Sequence, residues 1–276
     1  MLSSILFSLS QRLFWRKVRI RNKEWQTIIS GNQKTDISIG RQSVIRLYSS
    51  SELSKYIYSG AFEWAEREWL LKELKEGDVF YDIGANIGYF TILAAEKCGR
   101  NGHVFAFEPV KSTFELLTEN VKLNPHLNNI SLMNYAVSDR EENLLMYLPE
   151  KGKDAWNSIA VKPEGEHFKT EIIMTWCPDL HMKEETFIRP SLIKIDVEGW
   201  ELHVLKGMKN ILTAFQPTLL IEFTAANLKA AGTSGTELAA FLQSMNYRLY
   251  EYIPRYNKIE RISSFEFEHK NLIAKV

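Results

Sequence analysis

Residues 79–88, Val-Phe-Tyr-Asp-Ile-Gly-Ala-Asn-Ile-Gly, constrain the fold more than any other stretch of the chain. An apolar run suited to a buried parallel strand ends in Asp82. Gly84 and Gly88 then permit a tight turn, and residues 89–97 resume at helical spacing. Strand, glycine turn and helix start in this order build a nucleotide-type pocket, because the loop N–H groups and the helix N-terminus favour a carboxylate or phosphate. Asp82, at the strand end, is placed to accept from a cationic amine. A plain βα turn reads the same way when it stands alone, so its neighbours decide.

Those neighbours repeat the rhythm. Residues 103–107 form a second strand running into Glu108-Pro109, and Ser112, with Glu115 as capping-box partner, is the expected start of a helix through Phe114, Leu117 and Val121. Further strands are expected at 130–135, 191–195 and 218–221, with helices between them. Such alternation predicts parallel pairing with right-handed crossovers, hence a doubly wound α/β sheet with its pocket at the strand C-termini. Residues 138–190 break the pattern with strands at 144–148 and 171–176, read as an inserted hairpin that carries Trp156 and Asn157 as acceptor-rim residues. A helix at 235–245, a strand at 247–252 and a last, antiparallel strand at 271–276 complete the domain. Near the other end, residues 37–48 predict a small hairpin or lid.

Composition narrows the partners. With 34 basic and 34 acidic residues in 276, the chain lacks the excess of positive charge that a broad nucleic-acid face requires. Cys98 and Cys177 have no metal-type spacing, which fits a reducing, cytoplasmic setting. No run approaches the roughly 20 apolar residues of a membrane span. The first ten residues are apolar, and Arg12, Arg16, Lys17, Arg19, Arg21 and Lys23 follow before the first acid, Glu24. That order is the reverse of a secretory signal. It predicts peripheral membrane contact through residues 1–24, or else a helix docked on the domain with its basic face in water. Oligomeric state is not legible here.

The functional signal is a set of acids. Asp82, Glu108, Asp196 and Glu222 stand at the ends of four of the five central strands, with Glu198 close behind Asp196. Glu108 follows Gly88 by twenty residues, where a carboxylate accepts from both ribose hydroxyls. A nicotinamide dinucleotide and S-adenosylmethionine both satisfy that. Asn86, however, occupies the place of the middle glycine of a dinucleotide fingerprint, and Asp82 would repel a pyrophosphate, so a sulfonium amino acid fits better. The alternatives are an NAD(P)-dependent oxidoreductase and a non-catalytic cofactor-binding module. Clustered acids also suit a divalent metal with oxygen ligands; no metal ligand is assigned.

Asp-Ile-Gly-Ala-Asn-Ile-Gly-Tyr-Phe-Thr at 82–91, Phe-Glu-Pro at 107–109, Ala-Val-Ser-Asp at 136–139 and Ile-Lys-Ile-Asp-Val-Glu-Gly-Trp-Glu at 193–201 together resemble the FkbM family of S-adenosylmethionine-dependent methyltransferases. The resemblance covers residues 60–223. It implies a class I, Rossmann-like methyltransferase fold, a seven-stranded mostly parallel sheet with one reversed strand, spanning residues 61–276 behind an N-terminal extension of residues 1–60. It also implies O-methylation of a sugar, glycan or natural product. By the same resemblance Asp82, Gly84, Asn86 and Gly88 would hold the methionine end of the cofactor, Glu108 the ribose, and Val137, Ser138 and Asp139 the adenine. The acceptor oxygen must lose a proton as it attacks, which assigns Asp196 and Glu198 as the catalytic pair, with Glu222 in reach. Lys194, on the same strand face as Asp196, is either a substrate-pocket cation that holds its charge or a buried ion-pair partner.

Overall fold

The computed structural model describes the backbone of residues 2–31, 33–149, 159, 168–185, 187–265 and 267–276, and the side chains of these residues except 2–10, 29–31 and 149. The chain opens with helix α1 (Leu2–Gly31), a hairpin of β1 (Lys34–Ile39) and β2 (Ser43–Tyr48), and helices α2 (Glu52–Ser59) and α3 (Trp64–Glu73). The alternating part follows: β3 (Val79–Ile83), α4 (Tyr89–Cys98), β4 (His103–Phe107), α5 (Lys111–Lys122), β5 (Ile130–Met133). An insertion holds β6 (Ala136–Val137), β7 (Asn143–Pro149), β8 (Phe168–Trp176) and the short α6 (Pro178–His181). Next come β9 (Leu192–Ile195), α7 (Glu201–Gly207), α8 (Lys209–Phe215), β10 (Thr218–Thr224), α9 (Ala225–Ala230) and α10 (Gly235–Ser244). The last strands are β11 (Arg248–Ile253), β12 (Lys258–Arg261) and β13 (His269–Lys275).

The central sheet runs β12-β11-β13-β10-β9-β3-β4-β5. Strands β5, β4, β3, β9 and β10 are parallel, and β13 is inserted antiparallel between β10 and β11. This is the expected seven-stranded arrangement plus one strand. The eighth, β12, folds back antiparallel on β11 after a turn at Pro254–Tyr256. Its Lys-Ile-Glu-Arg sequence is mostly exposed and carries the charges that discourage edge-to-edge pairing, which is why no apolar run announced it.

Side-chain alternation sends the two faces of the sheet into two cores. Tyr81, Ile83, Ile193, Ile195, Leu219 and Ile221 pack with α7, α8 and α10 residues such as Leu205, Leu212 and Leu242. Phe80, Leu192 and Leu220 face the other way, with Leu70 of α3 and Ile92 and Leu93 of α4. The residues 1–60, expected as an appendage, contribute Ile39, Ile45 and Leu47 of the hairpin and Leu53 and Ile57 of α2 to this second core. Two local expectations change. Ala136 and Val137 do not extend β5 but pair with Thr175 and Trp176 in a separate sheet, β6-β8-β7, in which β7 and β8 form the inserted hairpin. Ser112 is not the cap of α5: Val110 holds that position, and the carboxylate of Glu108 accepts its N–H at 3.0 Å.

Candidate active site

The parallel strands end at a cleft that is open to solvent. Gly84, Asn86 and Glu108 line it from the β3 and β4 ends; Val137 from β6; Lys194, Asp196, Glu198 and Glu222 from the β9 and β10 ends.

The glycine loop is built by close approach. Gly84 has φ +85°, and a Cβ there would lie 1.8 Å from the carbonyl oxygen of Asp196. Asn86 also takes the left-handed region, φ 49°, and donates its backbone N–H to Glu108 at 3.0 Å. Glu108 thus accepts from two backbone N–H groups, one on each oxygen. Burial, partly offset by those two bonds, pushes its carboxyl up to about 7. The carboxamide of Asn134 fixes the turn beneath it by donating to the Glu108 and Pro109 carbonyls at 2.8 and 3.0 Å.

Four expected cofactor contacts sit elsewhere. Asp82 lies behind the cleft wall, buried, with Thr91 donating to it at 2.6 Å and Lys194 opposite it in the strand register. Gly88 is a packing position, since a Cβ there would meet Leu117 Cδ1 at 2.6 Å. Ser138 accepts from the Trp200 indole at 3.1 Å, and Asp139 pairs with His203 at 3.2 Å. Those two support Trp200, which lines the cleft and stacks on His203 at 3.8 Å, rather than lining it themselves. Trp156 and Asn157 lie outside the described residues.

At the β9 and β10 ends the acids converge. Lys194 is buried, 2.6 Å from Asp196 and over the Phe90 ring at 5.0 Å, so it is an ion-pair partner that also faces the cleft. One oxygen each of Asp196, Glu198 and Glu222 lies within 4.8 Å of the others. Burial alone would raise the Asp196 carboxyl, but the Lys194 ammonium and a hydrogen bond from Glu222 hold it below the usual range. Glu222 is driven the other way, well above the usual carboxylate range, by burial and then by the charge of Asp196. Burial and then Asp196 push Glu198 up to about 8. Its turn is held from two sides: Asn227 donates to its carboxylate at 2.6 Å, and Glu201 accepts from the Gly199 N–H at 3.0 Å. Glu201 stands in the motif read at 193–201; Asn227 gave no local signal.

Glu63 is the residue that sequence reasoning missed. It precedes α3 at φ 36°, lines the cleft, and feels Lys194 and Asp196 electrostatically, while burial first and Asp196 after it lift its carboxyl to about 8. Among the described residues that line the cleft, Glu52, Glu63, Glu108, Asp196, Glu198 and Glu222 stand against one cation, Lys194, a lining suited to a ligand of positive charge, and Asp82 behind it keeps a buried carboxylate oxygen without a hydrogen-bond partner. The charge of such a ligand should titrate these acids. Binding of S-adenosylmethionine is expected to release a fraction of a proton and to tighten as pH rises toward about 8, whereas S-adenosylhomocysteine, a zwitterion of zero net charge that lacks the sulfonium, releases less. Calorimetric titration in buffers of different ionisation enthalpy reads this, and Glu63→Gln should reduce the release. Without ligand the sign is opposite. The unfolded chain loses these protons first, so stability should fall between the ordinary carboxylate range and about pH 8.

A model of the methyltransferase FkbM domain matches residues 82–249. The hexuronic acid methyltransferase AglP of Haloferax volcanii is 34% identical over 147 residues, 52% of this chain and 55% of that protein. The methyltransferase sdnD of Sordaria araneosa is 25% identical over 189 residues, 58% of this chain and 71% of that one. The chain therefore spans about half the length of the hexuronic acid enzyme. Among solved structures, methyltransferase FkbM from Methylobacillus flagellatus aligns with a TM-score of 0.47 and 14% identity, over 91% of this chain and 58% of that one.

Proposed function

The chain belongs to the FkbM methyltransferase family, and from that premise we propose that it methylates a hydroxyl oxygen of a sugar, glycan or natural product. S-adenosylmethionine is the methyl donor. When bound, it supplies an electrophilic methyl group on a cationic sulfur. The observation that carries the reading is the geometry at the strand ends: Asp196, 2.6 Å from the buried Lys194 ammonium, is grouped with Glu198 and Glu222 in the same cleft that Glu108 lines.

Asn86 and Glu108 would hold the cofactor, with Glu108 on the ribose hydroxyls and Ala136 and Val137 against the adenine. Lys194 keeps Asp196 ionised, and Asp196 would accept the proton of the acceptor hydroxyl as its oxygen takes the methyl group and the sulfur keeps the electron pair of the broken carbon–sulfur bond. Glu198 and Glu63 hydrogen-bond the acceptor. Incubating the enzyme with deuteromethyl-labelled cofactor and glycan extracts, followed by mass spectrometry, tests it. The expected product carries one labelled methyl ether. Label found only on nitrogen, or no transfer to any extract by protein that binds S-adenosylhomocysteine, would overturn the proposal.

A second reading has a specific observation behind it. The 4.8 Å grouping of Asp196, Glu198 and Glu222 suits one divalent cation with oxygen ligands. Chelator treatment separates the two: base catalysis by Asp196 predicts activity unchanged within about twofold, a metal-assisted reaction predicts a loss of about 10²-fold or more that Mg²⁺ restores.

A further inference from the structure

Helix α1 has two faces. The inner one packs on the domain: Val18 and Trp25 are buried, and the Phe14 ring lies 5.4 Å from that of Trp64. On the outer one, Arg12, Arg16, Arg19 and Lys23 are exposed and follow one another at intervals of four, three and four residues. A helix turning about 100° per residue gathers them into a stripe about 60° wide. Leu13 and Ile20, 58% and 48% exposed, run along one side of it, and Trp15, 44% exposed, lies on the other. Glu24, the first acid, accepts from the Tyr58 hydroxyl at 3.4 Å and is turned from the stripe.

In a chain of zero net charge, four cations in one stripe repel one another, and three large apolar side chains beside them stand in water. An anionic lipid surface relieves both costs, because its headgroups neutralise the stripe while its acyl boundary takes Leu13, Ile20 and Trp15. A nucleic acid would answer the charge and leave the apolar flank wet. Among the described residues no helix is long and apolar enough to cross a membrane, so the contact is peripheral.

The stripe is wired to the cleft. Arg21 donates to the Tyr58 carbonyl at 3.2 Å, and the Trp25 and Tyr58 rings lie 5.3 Å apart, which clamps α2 to the inner face of α1. Glu52, Leu53 and Tyr56, on α2, line the cleft. We propose that α1 docks on an anionic membrane through Arg12, Arg16, Arg19 and Lys23, flanked by Leu13 and Ile20, and so presents the cleft to an acceptor held at a lipid headgroup. The acceptor half rests on the methyltransferase reading above; the docking half does not.

Co-sedimentation of the full chain with phosphatidylserine-containing and pure phosphatidylcholine vesicles tests it, at low and high salt and without cofactor. Binding to the anionic vesicles should be at least about 100-fold tighter than to the neutral ones, and the R12E/R16E/R19E/K23E variant should lose that difference. L13S/I20S should weaken binding by about 10-fold. Equal partition of the charge-reversed variant, equal binding to neutral vesicles, or homopolymeric RNA displacing the vesicles would each overturn the docking. S-adenosylhomocysteine affinity, measured on the same preparations, should be unchanged in both variants. A protein that binds vesicles but no S-adenosylhomocysteine would sink the methyltransferase reading and leave the docking standing.

Discussion

Replacing Asp196 by asparagine should lower kcat for methyl transfer by about 10²–10⁴-fold, the usual worth of a positioned general base. The same change removes the 2.6 Å partner of Lys194, a buried ammonium left with only Glu63 and Asp82 near it, and breaking such a buried pair costs up to about 3–5 kcal/mol. A loss of activity could then be a loss of fold. The double variant Asp196→Asn/Lys194→Met separates the two, because it removes both charges and leaves an apolar side chain beside the Phe90 ring. It should melt close to the parent, bind S-adenosylhomocysteine and stay inactive. Turnover within about tenfold of the parent in the double variant would remove Asp196 from the chemistry.

Gly84→Ala is expected to be the most damaging glycine-to-alanine change among the described residues. The left-handed backbone at φ +85° costs a non-glycine residue about 1 kcal/mol. The larger part is contact: a Cβ placed 1.8 Å from the Asp196 carbonyl oxygen meets backbone on the neighbouring strand, which has no rotamer to yield. Strands β3 and β9 would have to part where the cofactor loop and the proposed base meet. Stability should fall by about 3 kcal/mol or more, with loss of S-adenosylhomocysteine binding. Gly77→Ala is the control, because Gly77 has a similar φ of +89° and nothing within 4 Å of its added carbon. It should cost only the left-handed strain and keep full binding, as thermal denaturation with and without ligand would show.

The parts of this site that could be read from the chain are those in which one short segment holds both the backbone device and the chemistry. The β3 strand, its glycine turn and the acid at the end of β4 are of this kind, and Glu108 is found where its spacing put it. Glu63 is not. It comes from the connector between α2 and α3, in a left-handed conformation no composition rule assigns to glutamate, and it reaches Lys194 because α3 packs on the sheet face that Lys194 shares with Asp82. Ser138 and Asp139 stand off the cleft lining for the converse reason. Their motif is adjacent to the cleft in sequence, but β6 leaves the central sheet to pair with β8, and this turns both side chains toward Trp200 and His203.

The hairpin β1–β2 bears on how such a protein can be passed between genomes. Asn120 of α5 accepts from the Arg46 N–H at 2.7 Å and donates to the Ile87 carbonyl at 2.8 Å, so one carboxamide ties the hairpin to the cofactor loop. Asn124 makes the same kind of pair with both backbone groups of Val44. Residues 82–249, the part that relatives share as a recognisable domain, therefore contain half of a joint whose other half lies upstream. A recombination event that carried only that segment into a new gene would keep the Asn120–Ile87 bond but deprive the carboxamide oxygens of Asn120 and Asn124 of the hairpin N–H groups they accept from. The hairpin and the domain travel as one unit, or the two buried carboxamides must find new partners.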